Sequence, residues 1–221
     1  MKLFIVSTPI GNLEDISFRA IETLKQSDFI ICEDTRNSSV LLKKYEIHKE
    51  LISLNAFNEK NTINYLIDRI KSVQKVSLIS DAGTPAISDP GSVFILECVK
   101  NDINIIPIPG ASALLSALVV TGLKINSFIF EGFLPQKKGR KKKLKELASE
   151  KQMIIIYESV YRVEKLLQEL KRYMPERYII VCKELTKKFE EVWRGRADEL
   201  IKIIPKNKLK GEFVLIISEK T

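Results

Sequence analysis

The chain predicts an α/β fold built as two successive α/β domains, residues 1–115 and 116–221. Three observations predict it. Up to residue 110, short and almost wholly apolar runs alternate with helical patterns, as in a parallel sheet covered on both faces. From Ser127 onward the alternation resumes in a different arrangement, which reads as a second α/β layer with a mixed sheet. A length of 221 residues accommodates one large domain or two small ones.

The first domain can be followed element by element. KLFIVS is a strand, and ISFRAIETLK sets Ile16, Ala20, Ile21 and Leu24 on one helical stripe. FIIC is the second strand, followed by a helix through SVLLKKY. ELISL, NTINYLIDRIKS and KVSLIS continue as strand, helix and strand, and VFILECVK and NIIPI as helix and strand. ASALLSALVVTG then forms a small-residue helix ending at Gly122. In the second domain FIFEGF, MIIIYES, YIIVCKEL, VWRG and GEFVLIIS are strands. KKKLKELASE, VEKLLQELKRY and ADELIKII are the helices between them.

Composition narrows the function classes. Hydrophobic residues make up 45% and charged residues 29% of the chain, ordinary values for a globular protein. No apolar run reaches the roughly 18 residues of a helical membrane span. The apolar run of MKLFIVSTPIGN is too short for a signal peptide and reads as the first strand. Cys32, Cys98 and Cys182 are isolated within apolar segments, and His48 is the single histidine, so neither a metal site nor a thiol catalyst is expected. Buried free cysteines point to a cytoplasmic protein.

Charge is distributed unevenly. Residues 1–110 carry 12 Lys and Arg against 14 Asp and Glu, whereas residues 111–221 carry 24 against 14. The second half therefore holds a net +10, which suits a polyanionic partner or a solubilising surface. Seven of the nine residues from Lys137 to Lys145 are basic. That run reads as a phosphate-contacting surface, with a solvated helix face as the alternative.

Three loops at the carboxyl ends of first-domain strands are candidates for ligand binding, the usual location in open α/β sheets. They are TPIGN (Thr8 to Asn12), SDAGTPAISDPG (Ser80 to Gly91) and PIPGASA (Pro107 to Ala113). The middle loop has twelve residues where a plain strand-to-helix connection needs about two to six. Glycine and proline fix such a backbone while leaving its N–H and C=O groups approachable. None of the loops matches a dinucleotide fingerprint or a Walker loop, so a small polar ligand is expected.

The motifs TPIGNLEDISFRA, CEDTR, SDAGTPAISDPG, PIPGASALLSAL, GFLPQKKGR, YES followed by Arg162, and KELTKKFEE occur in an order that resembles one family. It is the ribosomal RNA small subunit methyltransferase I family, within the tetrapyrrole methylase superfamily. The resemblance implies two α/β domains of the tetrapyrrole methylase type, with S-adenosyl-L-methionine in the cleft between them, and a homodimer. It also implies transfer of a methyl group to the ribose 2′-oxygen of a cytidine in the decoding region of 16S rRNA, with the small ribosomal subunit as partner. By family position, Pro9, Asp81, Ala82, Gly83, Ile87, Ser112 and Ala113 are cofactor candidates, joined by Gly132 and Phe133 from the second domain.

The catalytic candidates are carboxylates and one lysine. Glu33 and Asp34 in CEDTR follow a strand and could accept a proton from a ribose hydroxyl; the alternative for the pair is an N-cap of the next helix with Arg36 as ion-pair partner. Glu158 and Arg162 in YESVYR, and Glu184 and Lys187 in KELTK, could contact substrate or form a buried ion pair across the two segments. Arg36, Lys137, Lys138, Arg140, Lys141, Lys142, Lys143 and Arg162 are the RNA-binding candidates. Phe57, Tyr161 and Trp193 could stack on a flipped cytosine or belong to the core.

Two segments depart from the family pattern. NAFNE replaces a run carrying two histidines, and YESVYR has Val160 and Tyr161 where the family has proline and histidine. Neither can supply an imidazole base. A methylase of tetrapyrroles or another small molecule, and a non-catalytic RNA-binding relative, are the competing readings.

Overall fold

The computed structural model describes residues 1–205 and 210–219. The chain divides into two compact units at Ser112/Ala113. A boundary at 115/116 would cut the helix Ala113–Val119, which packs on the last strand of the second unit and therefore travels with it.

The first unit is a five-stranded parallel sheet. Its strands are β1 (Lys2–Val6), β2 (Phe29–Cys32), β3 (Glu50–Ser53), β4 (Lys75–Ile79) and β5 (Asn104–Ile108), in the order β3-β2-β4-β1-β5. All its pairings are parallel. Helices α1 (Phe18–Gln26), α2 (Thr35–Lys44), α3 (Glu59–Lys71) and α4 (Ser92–Lys100) connect them. The two-residue alternation of a strand explains why the runs are apolar throughout. Phe29 and Ile31 of β2 join Leu66 and Phe94 in one core, while Ile30 and Cys32 join Ala20 and Leu24 in the other. Each strand residue thus has a helix layer to bury against. Ser17 caps α1 by accepting from the Ala20 N–H at 3.2 Å.

The second unit carries α5 (Ala113–Val119) and a mixed sheet ordered β6-β7-β10-β8-β9. Its strands are β6 (Phe128–Phe133), β7 (Met153–Ser159), β8 (Tyr178–Lys183), β9 (Glu191–Arg196) and β10 (Glu212–Ile217). Only β6 and β7 pair in parallel; the other neighbours are antiparallel. Helices α6 (Arg140–Ser149), α7 (Val163–Tyr173) and α8 (Ala197–Ile203) complete it. Ile154 and Ile156 of β7 and Leu215 of β10 pack with Leu144, Leu166 and Leu200 of these helices. Helix α5 stops three residues before the expected Gly122, because the N–H and hydroxyl of Thr121 both donate to the Leu118 carbonyl.

Candidate active site

The strand order makes β4, β1 and β5 consecutive neighbours, so the three candidate loops leave the same sheet edge side by side. They are hydrogen-bonded into one structure. Thr8 and Gly83 exchange backbone hydrogen bonds of 2.8 and 3.0 Å, and the Thr8 hydroxyl donates to the Ser80 carbonyl at 3.1 Å. The Ser7 and Thr84 hydroxyls are 2.8 Å apart. On the other side, the Ser7 N–H donates to Ile108 at 3.1 Å. A Cβ at Gly110 would stand 3.0 Å from that of Ser7 and 3.3 Å from its carbonyl oxygen. Gly110 is therefore the residue that lets the third loop lie against the first. Pro9 and Gly83 are buried in this junction, while Asp81, Ala82 and Gly110 are exposed on it.

The edge becomes acidic at β2. Asp34 caps α2, accepting from the Arg36 N–H at 2.8 Å, and its carboxylate also takes the Arg36 Nη2 at 2.6 Å. Arg36 holds the Asp34 carboxyl down to about 2. Asp81, arriving from β4, accepts from the Asp34 N–H at 3.2 Å and from Asn37 Nδ2 at 2.7 Å. Glu33 behaves in the opposite way. Burial raises its carboxyl above the usual value, and the charge of Asp81 adds to this against a hydrogen bond from the Asp81 backbone. Two adjacent carboxylates are thereby separated, one fixed as an anion and one with raised proton affinity.

The long loop is held by residues outside it. Ala86 and Ser88 adopt left-handed conformations with φ of 67° and 65°, and Ile87 between them is exposed. Such φ values are unfavourable for residues with a Cβ and persist only when the surroundings enforce them. The far end of the loop is held by Glu59, whose Oε1 accepts from the N–H groups of Gly91 at 3.2 Å and Phe94 at 3.1 Å. Glu59 thus caps α4 from the NAFNE segment. Nothing in its sequence spacing signals this contact across 32 residues.

In the second unit Glu158 is 1% exposed at the end of β7. Its Oε1 accepts from Arg162 Nε at 2.6 Å and from the Ser159 N–H at 2.9 Å, and its Oε2 from Arg140 Nη2 at 3.2 Å. Arg140 also binds Glu169 at 2.8 Å and the Pro135 carbonyl at 3.2 Å. This corrects two expectations. Glu158 is a buried structural anion with no face left for a substrate, and Arg140, 3% exposed, is withdrawn from the basic surface by its carboxylate partners. Lys137, Lys138, Lys141 and Lys142 remain exposed, and Lys143 pairs with Glu131 at 3.1 Å. Gly132 is buried beside the irregular register of β6, and Phe133 stands half exposed, edge-on to Tyr157. Lys187 bridges Glu184 and Glu212, each at 3.0 Å. Burial opposes its charge, but the two carboxylates prevail and raise its proton affinity.

Comparison with known proteins decides the family. The family description Tetrapyrrole (Corrin/Porphyrin) Methylases matches residues 2–201. The chain is 43% identical to the ribosomal RNA small subunit methyltransferase I of Thermotoga maritima over 99% of both chains. It is 44% identical to the protein of that name from Halalkalibacterium halodurans, covering 97% of this chain and 75% of the relative. The chain belongs to the ribosomal RNA small subunit methyltransferase I family of tetrapyrrole methylases. Solved structures share its fold. A diphthine synthase superposes with a TM-score of 0.75 at 19% identity, covering 99% of this chain and 90% of that one. A uroporphyrin-III C-methyltransferase from Thermus thermophilus, complexed with S-adenosylhomocysteine, superposes at 0.70 with 18% identity, covering 99% and 98%. At those identities the likeness concerns the fold alone.

Within this methyltransferase I family member, the structure brings Pro9, Asp81, Ala82 and Gly83 together with Glu33, Asp34 and Arg36 along one edge of the first unit. Ser112 closes that unit and Ala113 opens α5 of the next. Sequence reasoning missed Glu59, Asn37, Ser7 and Thr84, all of which hold the loops by contacts between distant segments.

Proposed function

We propose that this protein is an S-adenosylmethionine-dependent methyltransferase of ribosomal RNA that methylates the ribose 2′-oxygen of a cytidine in the decoding region of 16S rRNA. It would work in the cytoplasm as a homodimer, with the small ribosomal subunit as substrate. The observation that carries the reading is the 43% identity over 99% of both chains with a relative named for small-subunit rRNA methylation. No described helix is long and apolar enough to cross a membrane.

The donor set of the first unit fits the cofactor. Glu33 and Asp81 supply carboxylates suited to a sulfonium and an ammonium group, and the exposed Ala82 and Gly110 offer approachable backbone. Bound there, S-adenosylmethionine would supply an electrophilic methyl group. Asp81, Ala82, Gly83 and Ser112 are the residues assigned to hold it, and Ile87 offers an apolar contact. Pro9, buried in the junction, shapes the loop from beneath.

A ribose hydroxyl is a poor nucleophile and gains from a positioned proton acceptor. Glu33 is assigned that role, because burial raises its proton affinity above that of an ordinary carboxylate. Asp34, held near 2 by Arg36, is too weak a base and serves as the helix cap. The exposed lysines at the start of α6 contact RNA phosphates.

Purified protein, methyl-labelled S-adenosylmethionine and small subunits lacking 2′-O modification test the proposal, with nuclease mapping of the label. Label on one cytidine ribose is expected. Label on a base would overturn the 2′-O assignment, and cofactor binding with no label in RNA would overturn the substrate.

A further inference from the structure

We propose that Tyr161 is a stacking platform for an unpaired RNA base, set beside the phosphate-binding lysines of α6. The inference rests on the RNA reading above and adds a residue that grips a base rather than the backbone.

The ring of Tyr161 is 93% exposed, in the short turn between β7 and α7. That turn is rigid. The Arg162 N–H donates to the Ser159 carbonyl at 3.0 Å, the Leu166 N–H to that of Arg162 at 2.8 Å, and Val160 packs on the core. Arg162 Nε is fixed on Glu158 at 2.6 Å. An aromatic ring on a fixed backbone has only its own side-chain rotation to lose on binding, which suits a stacking surface.

The same buried carboxylate places the turn. Glu158 takes Arg162 on one oxygen and Arg140 on the other, so the start of α7 and the start of α6 lie within the width of one carboxylate and two guanidinium groups. Around Arg140 stand Lys137, Lys138 and Lys141, which have no carboxylate within 4 Å among the described residues. Glu158 and Glu169 are taken up by Arg140 and Arg162, so neither compensates Lys137, Lys138 or Lys141. An exposed ring on the same unit as exposed lysines is the recurring arrangement of single-strand binding surfaces.

The other two aromatic candidates lack this setting. Trp193 is half-buried against the core, with Lys183 Nζ 6.0 Å from its ring. Phe57 is as exposed as Tyr161 but lies in the half of the chain with a negative net charge, where no lysine cluster would draw phosphates. Of these three candidates, Tyr161 alone combines high exposure with a place in the basic half of the chain.

The test measures binding of a short single-stranded RNA and a blunt RNA duplex as a function of salt. Tyr161→Ala should weaken single-strand binding by roughly 5- to 100-fold, the loss of one base–aromatic contact. Duplex binding and the salt slope should not change, because paired bases offer no free face and no phosphate contact is lost. Tyr161→Phe should bind as the unaltered protein does. Equal binding by Tyr161→Ala, or an equal loss in Tyr161→Phe, would overturn the stacking role. A Lys137→Glu, Lys138→Glu, Lys141→Glu variant separates the two ideas. If it loses RNA while Tyr161→Ala does not, stacking alone fails; if it too binds normally, the RNA reading of this surface fails with it.

Discussion

Asp81 Oδ1 accepts the backbone N–H of Asp34 at 3.2 Å, tying the loop after β4 to the loop after β2 across 47 residues of chain. The carboxylate that the sequence offers as a cofactor ligand is thus also a brace, with Asn37 on its other oxygen. Asp81→Asn keeps one acceptor but sets an amide N–H₂ against either Asn37 or the Asp34 N–H. The expected result is a fall in S-adenosylmethionine affinity of roughly ten- to hundredfold, with little change in stability because the side chain is exposed. Isothermal titration calorimetry and urea unfolding read the two effects. Unchanged affinity would leave Asp81 as a brace only.

Glu59 supports the long loop from outside the junction. Glu59→Ala leaves the N–H groups of Gly91 and Phe94 without their acceptor and should cost about 1–2 kcal/mol, the usual effect of losing a helix cap. Hydrogen exchange should accelerate at Gly91 and Phe94 first. Uniform acceleration over the whole first unit would mean that Glu59 supports the unit and not this loop.

The buried charges of the second unit predict a larger loss. Glu158→Ala leaves Arg140 and Arg162 without their shared acceptor, and breaking such a buried pair typically costs about 3–5 kcal/mol. Arg140→Met should cost less, since Glu158 keeps Arg162 and the Ser159 N–H while Glu169 is partly open to water. Chemical denaturation of both variants checks the order.

Within the basic run, individual lysines should differ. Lys143→Glu would set a second carboxylate against Glu131, now 3.1 Å from Lys143, and should reduce stability. Lys141→Glu faces no such partner and should leave stability unchanged while lowering RNA affinity. Thermal melts and filter binding distinguish the two effects.

The three cysteines predict the alkaline limb of stability. Burial pushes the thiols of Cys32, Cys98 and Cys182 up to about 11, 12 and 12 from an ordinary 9.0. In the unfolded chain they ionise first, so above pH 9 the folded state holds more protons. Stability is then complete below that pH and lost as pH rises toward 11–12, by up to about 1.4 kcal/mol per pH unit for each thiol. Cys98→Ala should flatten this slope. An equally steep slope would assign the alkaline loss to other groups.

Much of the architecture was legible because it depends on local pattern. Apolar runs such as FIIC and KVSLI can be strands buried on both faces, and the ISFRAIETLK stripe can be a helix, whatever else the chain does. The order β3-β2-β4-β1-β5 is a non-local outcome, yet the loop motifs had already selected the three strands that it makes neighbours. The end of α5 was misjudged because Thr121 closes the helix through a side-chain bond that periodicity does not register.

By itself the sequence determined the two α/β units, the charge asymmetry, the loop motifs and the family. Each depends on residue identity and short spacing, which a linear text carries. The tertiary structure alone decided which charges are free to act. It buried Arg140 within an apparently uniform basic run, made Glu158 a scaffold, left Tyr161 bare, and set Glu33 and Asp34 apart in proton affinity. The reason is physical: burial and ion pairing arise between segments tens of residues apart, and a side chain's charge is available only where neither consumes it.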